Sequence, residues 1–292
     1  MPCRYSEDQL AEMAAFYDEH GAVKLPGLVE PEWVDKVLGA IDSAAAASTG
    51  PGRVPGYALS VGRGNGRMTV RYMWRENPLI RDFLFRDALV EPLARVTGCK
   101  ELRFWFDLTF IHEAGTGGEA GAGSAWHHDI GAFSFKGEKL PSLWMALTPA
   151  TSANSRIEFI DRSHKTVPGF YRPNTDDPTQ SSEMLTAPDF DALVAEGKEK
   201  ILTWDCAPGD AVIIHPYQIH GAKGNTGRRG HGRRIAITTR WLGDDVRWLP
   251  NNPAAATVTG LDAPPPLGAR PSGEWFPLVW SASGRREIGR AA

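Results

Sequence analysis

The chain has 292 residues, 42% of them hydrophobic and 23% charged, with a formal net charge of −3. This is the composition of a globular protein whose core needs no disulfide or metal staple, over a length that suits one large domain or two small ones. It argues against a nucleic-acid partner, because Lys and Arg are dispersed and the one basic cluster, Arg228, Arg229, Arg233 and Arg234, reads as a solvated loop. Along the chain, Ser6 with Gln9 forms a capping-box pattern before Leu10, Met13, Ala14, Phe16 and Tyr17, which predicts a helix ended by Gly21. AVKLPG reads as a short strand and turn, and a second helix starts near Pro31 and carries Trp33, Val37, Leu38 and Ile41. Residues 48–66 are rich in Gly and Pro and read as loop; the RGNGR glycines lack the context of a phosphate loop. Residues from about Pro78 to Thr97 again look helical.

After Gly98 the pattern changes to strands: LRFWFDLTFI, SLWMALT, RIEFI, DAVIIH and RRIAITTRW, rich in aromatic and β-branched residues. Polar, proline-containing segments at 165–188 and 243–271 interrupt them. The expectation is a single domain over 1–292, α+β but mainly β. A jelly-roll core over 98–292 follows a mainly helical part over 1–97. Cys3, Cys99 and Cys206 are few, scattered and odd in number, as in a reducing compartment. With no apolar run near 18 residues and no apolar leader pattern, no membrane association is expected and the cytoplasm is the expected location.

The chemistry is carried by Ser124-Ala125-Trp126-His127-His128-Asp129. In an extended strand His127 and Asp129 project to one face, and His128 to the other. An imidazole and a carboxylate on one face supply two of the three ligands of a 2-His-1-carboxylate triad. Alone the signal is weak, since eight histidines give roughly 0.5 chance His-x-Asp matches in such a chain. The third ligand should come from a distant strand: Pro208-Gly209-Asp210, then AVIIH, then Ile219-His220-Gly221, which makes His220 the candidate and His215 the competitor. Arg233 and Arg234 open the next strand, and arginine is the always-charged, bidentate partner that a carboxylate co-substrate needs. Trp105, Phe106, Phe133 and Phe135 either line an apolar cavity or pack in the core, core being the simpler reading for at least half of them. Trp126 and His164 read as structural.

SAWHHD, LWMALTPATSANSRIEFIDRSHK, PGDAVIIHPYQIHGAKGN and RRIAITTRWLGDD together resemble the phytanoyl-CoA dioxygenase family, as do FYDEHGAVKLPGLV and EWFPLVW. The resemblance implies a double-stranded β-helix, Fe(II) and 2-oxoglutarate as cofactors with O2, and ascorbate as an optional reductant. It implies His127, Asp129 and His220 as iron ligands, Arg234 (seven residues before Trp241) on the distal carboxylate of 2-oxoglutarate, and Trp144 beside it. Where the family often has Lys-Glu-Pro-Gly this chain has His112-Glu113-Ala114-Gly115, so His112 is the candidate replacement for the lysine. Family glycines after Asn154 and before Ser163 are Ser155 and Arg162 here. The implied reaction is hydroxylation of an unactivated C–H bond in a small, natural-product or lipid-like substrate, with desaturation, cyclisation or epimerisation as variants. The alternative from another class is a non-catalytic, metal-binding cupin-like protein. Substrate choice is expected in the loop 115–123 and in residues 165–200, where the long insertions fall.

Overall fold

The structure is a computed structural model and describes residues 3–47, 52–53, 60–64, 67–112, 123–166, 168–171, 184–223, 232–250 and 264–288. The capping box at Ser6 starts helix α1 (Glu7–His20), and Gly21 ends it at φ 78°, a left-handed conformation that glycine adopts freely. Then follow β1 (Ala22–Leu25), α2 (Pro31–Ala47), β2 (Gly52–Arg53), β3 (Ser60–Gly64), β4 (Arg67–Arg71), α3 (Met73–Glu76), α4 (Pro78–Leu84) and α5 (Asp87–Thr97). The β-rich part comprises β5 (Glu101–His112), β6 (Ser124–His127), β7 (Phe135–Lys136), β8 (Ser142–Ala146) and β9 (Ile157–Ile160). It continues with α6 (Phe190–Ala195), β10 (Ile201–Thr203), β11 (Ala211–Ile214), β12 (His220–Ala222), β13 (Arg234–Leu242), β14 (Arg247–Trp248) and β15 (Leu278–Ser281).

Two antiparallel sheets make the jelly roll. The major sheet runs β1-β11-β8-β13-β5-β4-β3-β2, with β15 also on β5, and the minor sheet runs β10-β9-β12-β6. Strand alternation gives the major sheet two different faces. Val23, Leu25, Leu143, Met145, Ile213, Ile235 and Ile237 face α1, α2, α4 and α5 and form the larger core with their apolar sides. Trp144, Ala146, Val212, Ile214 and Ala236 face Ile157 and Phe159 of the minor sheet. Among the described residues no helix is long and apolar enough to cross a membrane.

One expectation for residues 1–97 needs correcting. Part of 48–66 is not loop: β2 and β3 pair with each other, and β3 with β4, which extends the major sheet beyond β5. Gly and Arg content hid these strands, because sheet pairing outweighs weak local preference. The helical stretch 78–97 is two helices, broken at Phe85 and Arg86. α4 is capped by the Asn77 side chain on the Leu79 and Ile80 amides. The loop 115–123, apart from Gly123, and residues 167 and 172–183 lie outside the described residues.

Candidate active site

β6 and β12 are neighbours, and their register sets His127 directly opposite His220. Their rings lie 4.3 Å apart. Asp129 follows β6 in a one-turn 3-10 helix, Asp129–Gly131, so it is reached just beyond the strand rather than within it. Asp129 Oδ1 is 3.9 Å from Nε2 of each histidine. That separation is too long for a hydrogen bond and suits three donors around a common ion. The three side chains form a group that could hold a metal ion, the only such group among the described residues.

The remaining polar atoms of these side chains are all engaged. His127 Nδ1 donates to the Ala125 carbonyl at 2.7 Å and His220 Nδ1 to the Gln218 carbonyl at 2.9 Å. A carbonyl only accepts, so both protons sit on Nδ1 and both Nε2 lone pairs point at the cluster. Asp129 Oδ2 accepts from Arg240 Nη2 at 2.7 Å and from Ser142 Oγ at 3.3 Å. Burial pushes the Asp129 carboxyl up, but Arg240 first, then the two histidines and Ser142, outweigh it and hold it below the usual range. Burial, with His127 adding to it, pushes His220 down to about 4, so this imidazole is neutral and available as a ligand near neutral pH. Below the turn, Lys136 Nζ donates to Ile130 O at 2.7 Å and to Phe133 O, which ties the turn carrying Asp129 to β7. Burial lowers Lys136 to about 7.

The expected co-substrate residues are brought together at the other end of β13. Arg234 is buried and lies opposite His112 across β5; its Nη1 donates to His112 Nε2 at 3.2 Å. Its guanidinium sits 5.5 Å from the Trp144 ring. Arg233 points the opposite way and pairs with Asp42 of α2 at 2.6 Å. His215 is outside the cluster: its Nε2 lies 3.3 Å from Glu138 and its ring packs near His164 and Tyr17. His128 faces away from the cluster, accepting the Tyr171 amide at Nε2 at 2.8 Å, and His164 lies outside it, its Nε2 donating to the Asp18 carbonyl at 3.0 Å. Trp126 packs on Phe190 of α6 behind the minor sheet. Trp105, Phe133 and Phe135 are core, and Phe106 alone of the four stays partly exposed.

Arg240, Ser142 and Lys136 were not anticipated. Arg240 had a usable signal, because it shares strand parity with Arg234 and its buried charge on the inner face demands an acidic partner. Ser142 and Lys136 carry no local signal that distinguishes them from ordinary strand residues.

An inward histidine at the end of one jelly-roll strand, an aspartate in the turn just beyond it and a histidine from the neighbouring strand define the class of non-haem iron oxygenases. The profile of the phytanoyl-CoA dioxygenase (PhyH) family matches residues 17–235. The chain belongs to that family. Similar solved structures include the non-haem α-ketoglutarate-dependent epimerase SnoN from nogalamycin biosynthesis (18% identity, TM-score 0.71, covering 94% of this chain and 100% of SnoN). The α-ketoglutarate-dependent carbocyclase SnoK is comparable, at 18% identity, TM-score 0.70, and 95% and 97% coverage. EctD from S. alaskensis, solved with 2-oxoglutarate and 5-hydroxyectoine, has 16% identity and TM-score 0.65, with 100% and 92% coverage. No curated protein sequence matches the chain.

Proposed function

We propose that this protein is an Fe(II)- and 2-oxoglutarate-dependent oxygenase that hydroxylates a small organic substrate, with His127, Asp129 and His220 holding the iron. The observation that carries the reading is the division of labour within the cluster. Every polar atom not aimed at the centre already has a protein partner, and the three that are aimed at it have none within hydrogen-bond distance. Two imidazoles and one carboxylate fit a divalent transition metal and leave coordination positions open. When bound, iron(II) with 2-oxoglutarate and dioxygen supplies the oxidation of an unactivated C–H bond, the co-substrate leaving as succinate and CO2. Arg234 pairs with the distal carboxylate of 2-oxoglutarate, Trp144 flanks it, and His112 holds the guanidinium in place. Ala146, Ala236 and Thr238 lie on the inner face between these two ends.

Desaturation, cyclisation and epimerisation are reached from the same site by a different substrate pose, and an epimerase and a carbocyclase are among the similar structures. A non-catalytic cupin-like binder is disfavoured by Arg234, a buried cation that a simple metal store would not need. We further infer one domain over 1–292 and a cytoplasmic location, on the strength of three free cysteines, two of them buried. The test is succinate release by purified protein with Fe(II), 2-oxoglutarate and a metabolite panel. Ala at His127, Asp129 or His220 should abolish it with the fold retained, and His215→Ala should not. Loss of turnover in the His215 variant with His220→Ala fully active would overturn the ligand set.

A further inference from the structure

The inner face of the major sheet does not end at β5. β4 pairs with β5 so that Arg71 lies opposite Leu108, which lies opposite Thr238, which lies opposite Trp144. Directly opposite residues in antiparallel strands share a face. Val70 is fully buried in the helical core on the other side, so Arg71 is presented to the face that carries Arg240. Phe106, opposite Arg240, occupies the adjoining row. Two strand spacings separate β4 from β13, about 10 Å.

Arg71 is exposed and, among the described residues, its side chain has no hydrogen bond or ion pair. The next residue, Tyr72, holds φ 60°, an uncommon conformation for a large side chain. Buried Asp107 fixes that corner: its backbone carbonyl accepts the Tyr72 amide at 3.1 Å, and its carboxylate accepts the Met73 and Trp74 amides at 3.0 Å each. The strained corner sets the Tyr72 ring 5.7 Å from Phe106, with Trp275 edge-on at 6.5 Å. Strain of this kind persists only where the surroundings over-determine it. The result is a partly exposed aromatic ledge beside an available cation, on the sheet face that leads to Asp129.

Resting on the oxygenase reading above, we propose that Arg71 with the Phe106–Tyr72 ledge is the substrate subsite, and that the substrate is an organic anion with a flat apolar body. The guanidinium pairs with its carboxylate or other anionic group, and the apolar body lies on the two rings. This subsite is distinct from the co-substrate end at Arg234, which lies six residues along β13 from Arg240.

The test uses two fluorescent probes of one shape, anionic 8-anilinonaphthalene-1-sulfonate and neutral N-phenyl-1-naphthylamine. Both are titrated anaerobically into protein holding Fe(II) and saturating 2-oxoglutarate. Wild type should bind the anionic probe saturably and about tenfold tighter than the neutral one. Arg71→Ala should erase that preference without weakening the neutral probe, Arg71→Lys should keep part of it, and Phe106→Ala should weaken both. Any of three results overturns the proposal: no saturable anion binding with or without 2-oxoglutarate, an unchanged preference in Arg71→Ala, or anion binding that is seen only when 2-oxoglutarate is left out. The first two mark Arg71 as a surface arginine, and the third places the probe at the co-substrate end. Succinate release by wild type is measured in parallel, so a failure of the oxygenase reading shows there while the probe result stands by itself.

Discussion

The two oxygens of Asp129 have different partners, and that difference sets the task of Arg240. Oδ1 faces the two imidazoles, and Oδ2 is held by Arg240 and Ser142. Arg240 is itself buried, donates from Nη1 to Thr238 Oγ1 at 2.5 Å, and lies over the Phe133 ring at 5.5 Å. Replacing it by Met leaves a buried carboxylate without its main counter-charge, which typically costs about 3–5 kcal/mol of stability. It also frees Asp129 to rotate, and loss of such an outer partner lowers metal affinity by roughly 10–100-fold. Anaerobic Fe(II) titration by calorimetry checks this, and an Arg240→Met protein that binds iron as tightly as wild type would show that the metal alone orients Asp129. The grouping of His127, Asp129 and His220 was legible from their spacing together with the family resemblance, although Asp129 lies just beyond the strand on which the parity argument placed it. Arg240 was not, because its role depends on a partner 111 positions away that only the fold reveals.

At the scale of single elements, β13 makes a sharp test of parity. Arg233 and Arg234 are adjacent in sequence yet serve opposite faces, one paired with Asp42 of α2 and the other buried against His112 and Trp144. Loss of a bidentate, charge-assisted pair should cost about 2–5 kcal/mol, seen as a raised 2-oxoglutarate requirement in Arg234→Ala. Arg233→Ala should leave that requirement nearly unchanged, and a larger effect there would reverse the assignment. A second element-scale case is the turn before β9. Ser155 holds φ 77° where the family resemblance implies glycine, is almost fully buried, and its hydroxyl has no hydrogen-bond partner. Ser155→Gly relieves both penalties against a modest loss of chain stiffness, so it should stabilise the protein by about 1 kcal/mol in urea unfolding. An unchanged or lower midpoint would mean that the turn is better accommodated than its backbone angle implies. The sequence revealed this turn as a departure from the family pattern but not its strain. β2 and β3 escaped because their residues look like loop until β4 gives them a partner.

For the molecule as a whole, the buried titratable groups set how stability responds to acid. His128 and His220 are each pushed down to about 4 from 6.5, His128 by burial and His220 by burial and His127. Their folded forms resist protonation, so each contributes stability that is present above the unfolded value and lost as pH falls from about 6.5 towards 4. Asp107 works in the opposite direction. Burial raises it to about 6 from 3.8 despite two amide hydrogen bonds, so the folded state holds its proton more tightly than the unfolded chain, and its unfavourable contribution is relieved as pH falls below about 6. Between pH 5 and 6 two histidines act against one aspartate, which leaves the unfolded chain about one proton ahead. His164, lowered mainly by burial, adds in the same direction. Metal-free protein should therefore lose about 1.4 kcal/mol per pH unit on acidification through this window. Urea unfolding at several pH values, followed by tryptophan fluorescence, measures that slope. His128→Gln should flatten it, because one histidine is then cancelled by Asp107, and Asp107→Asn should steepen it, because nothing then opposes the histidines. Opposite responses in the two variants identify these groups as the source. A slope that stays the same in both would mean that the acid response comes from elsewhere in the protein.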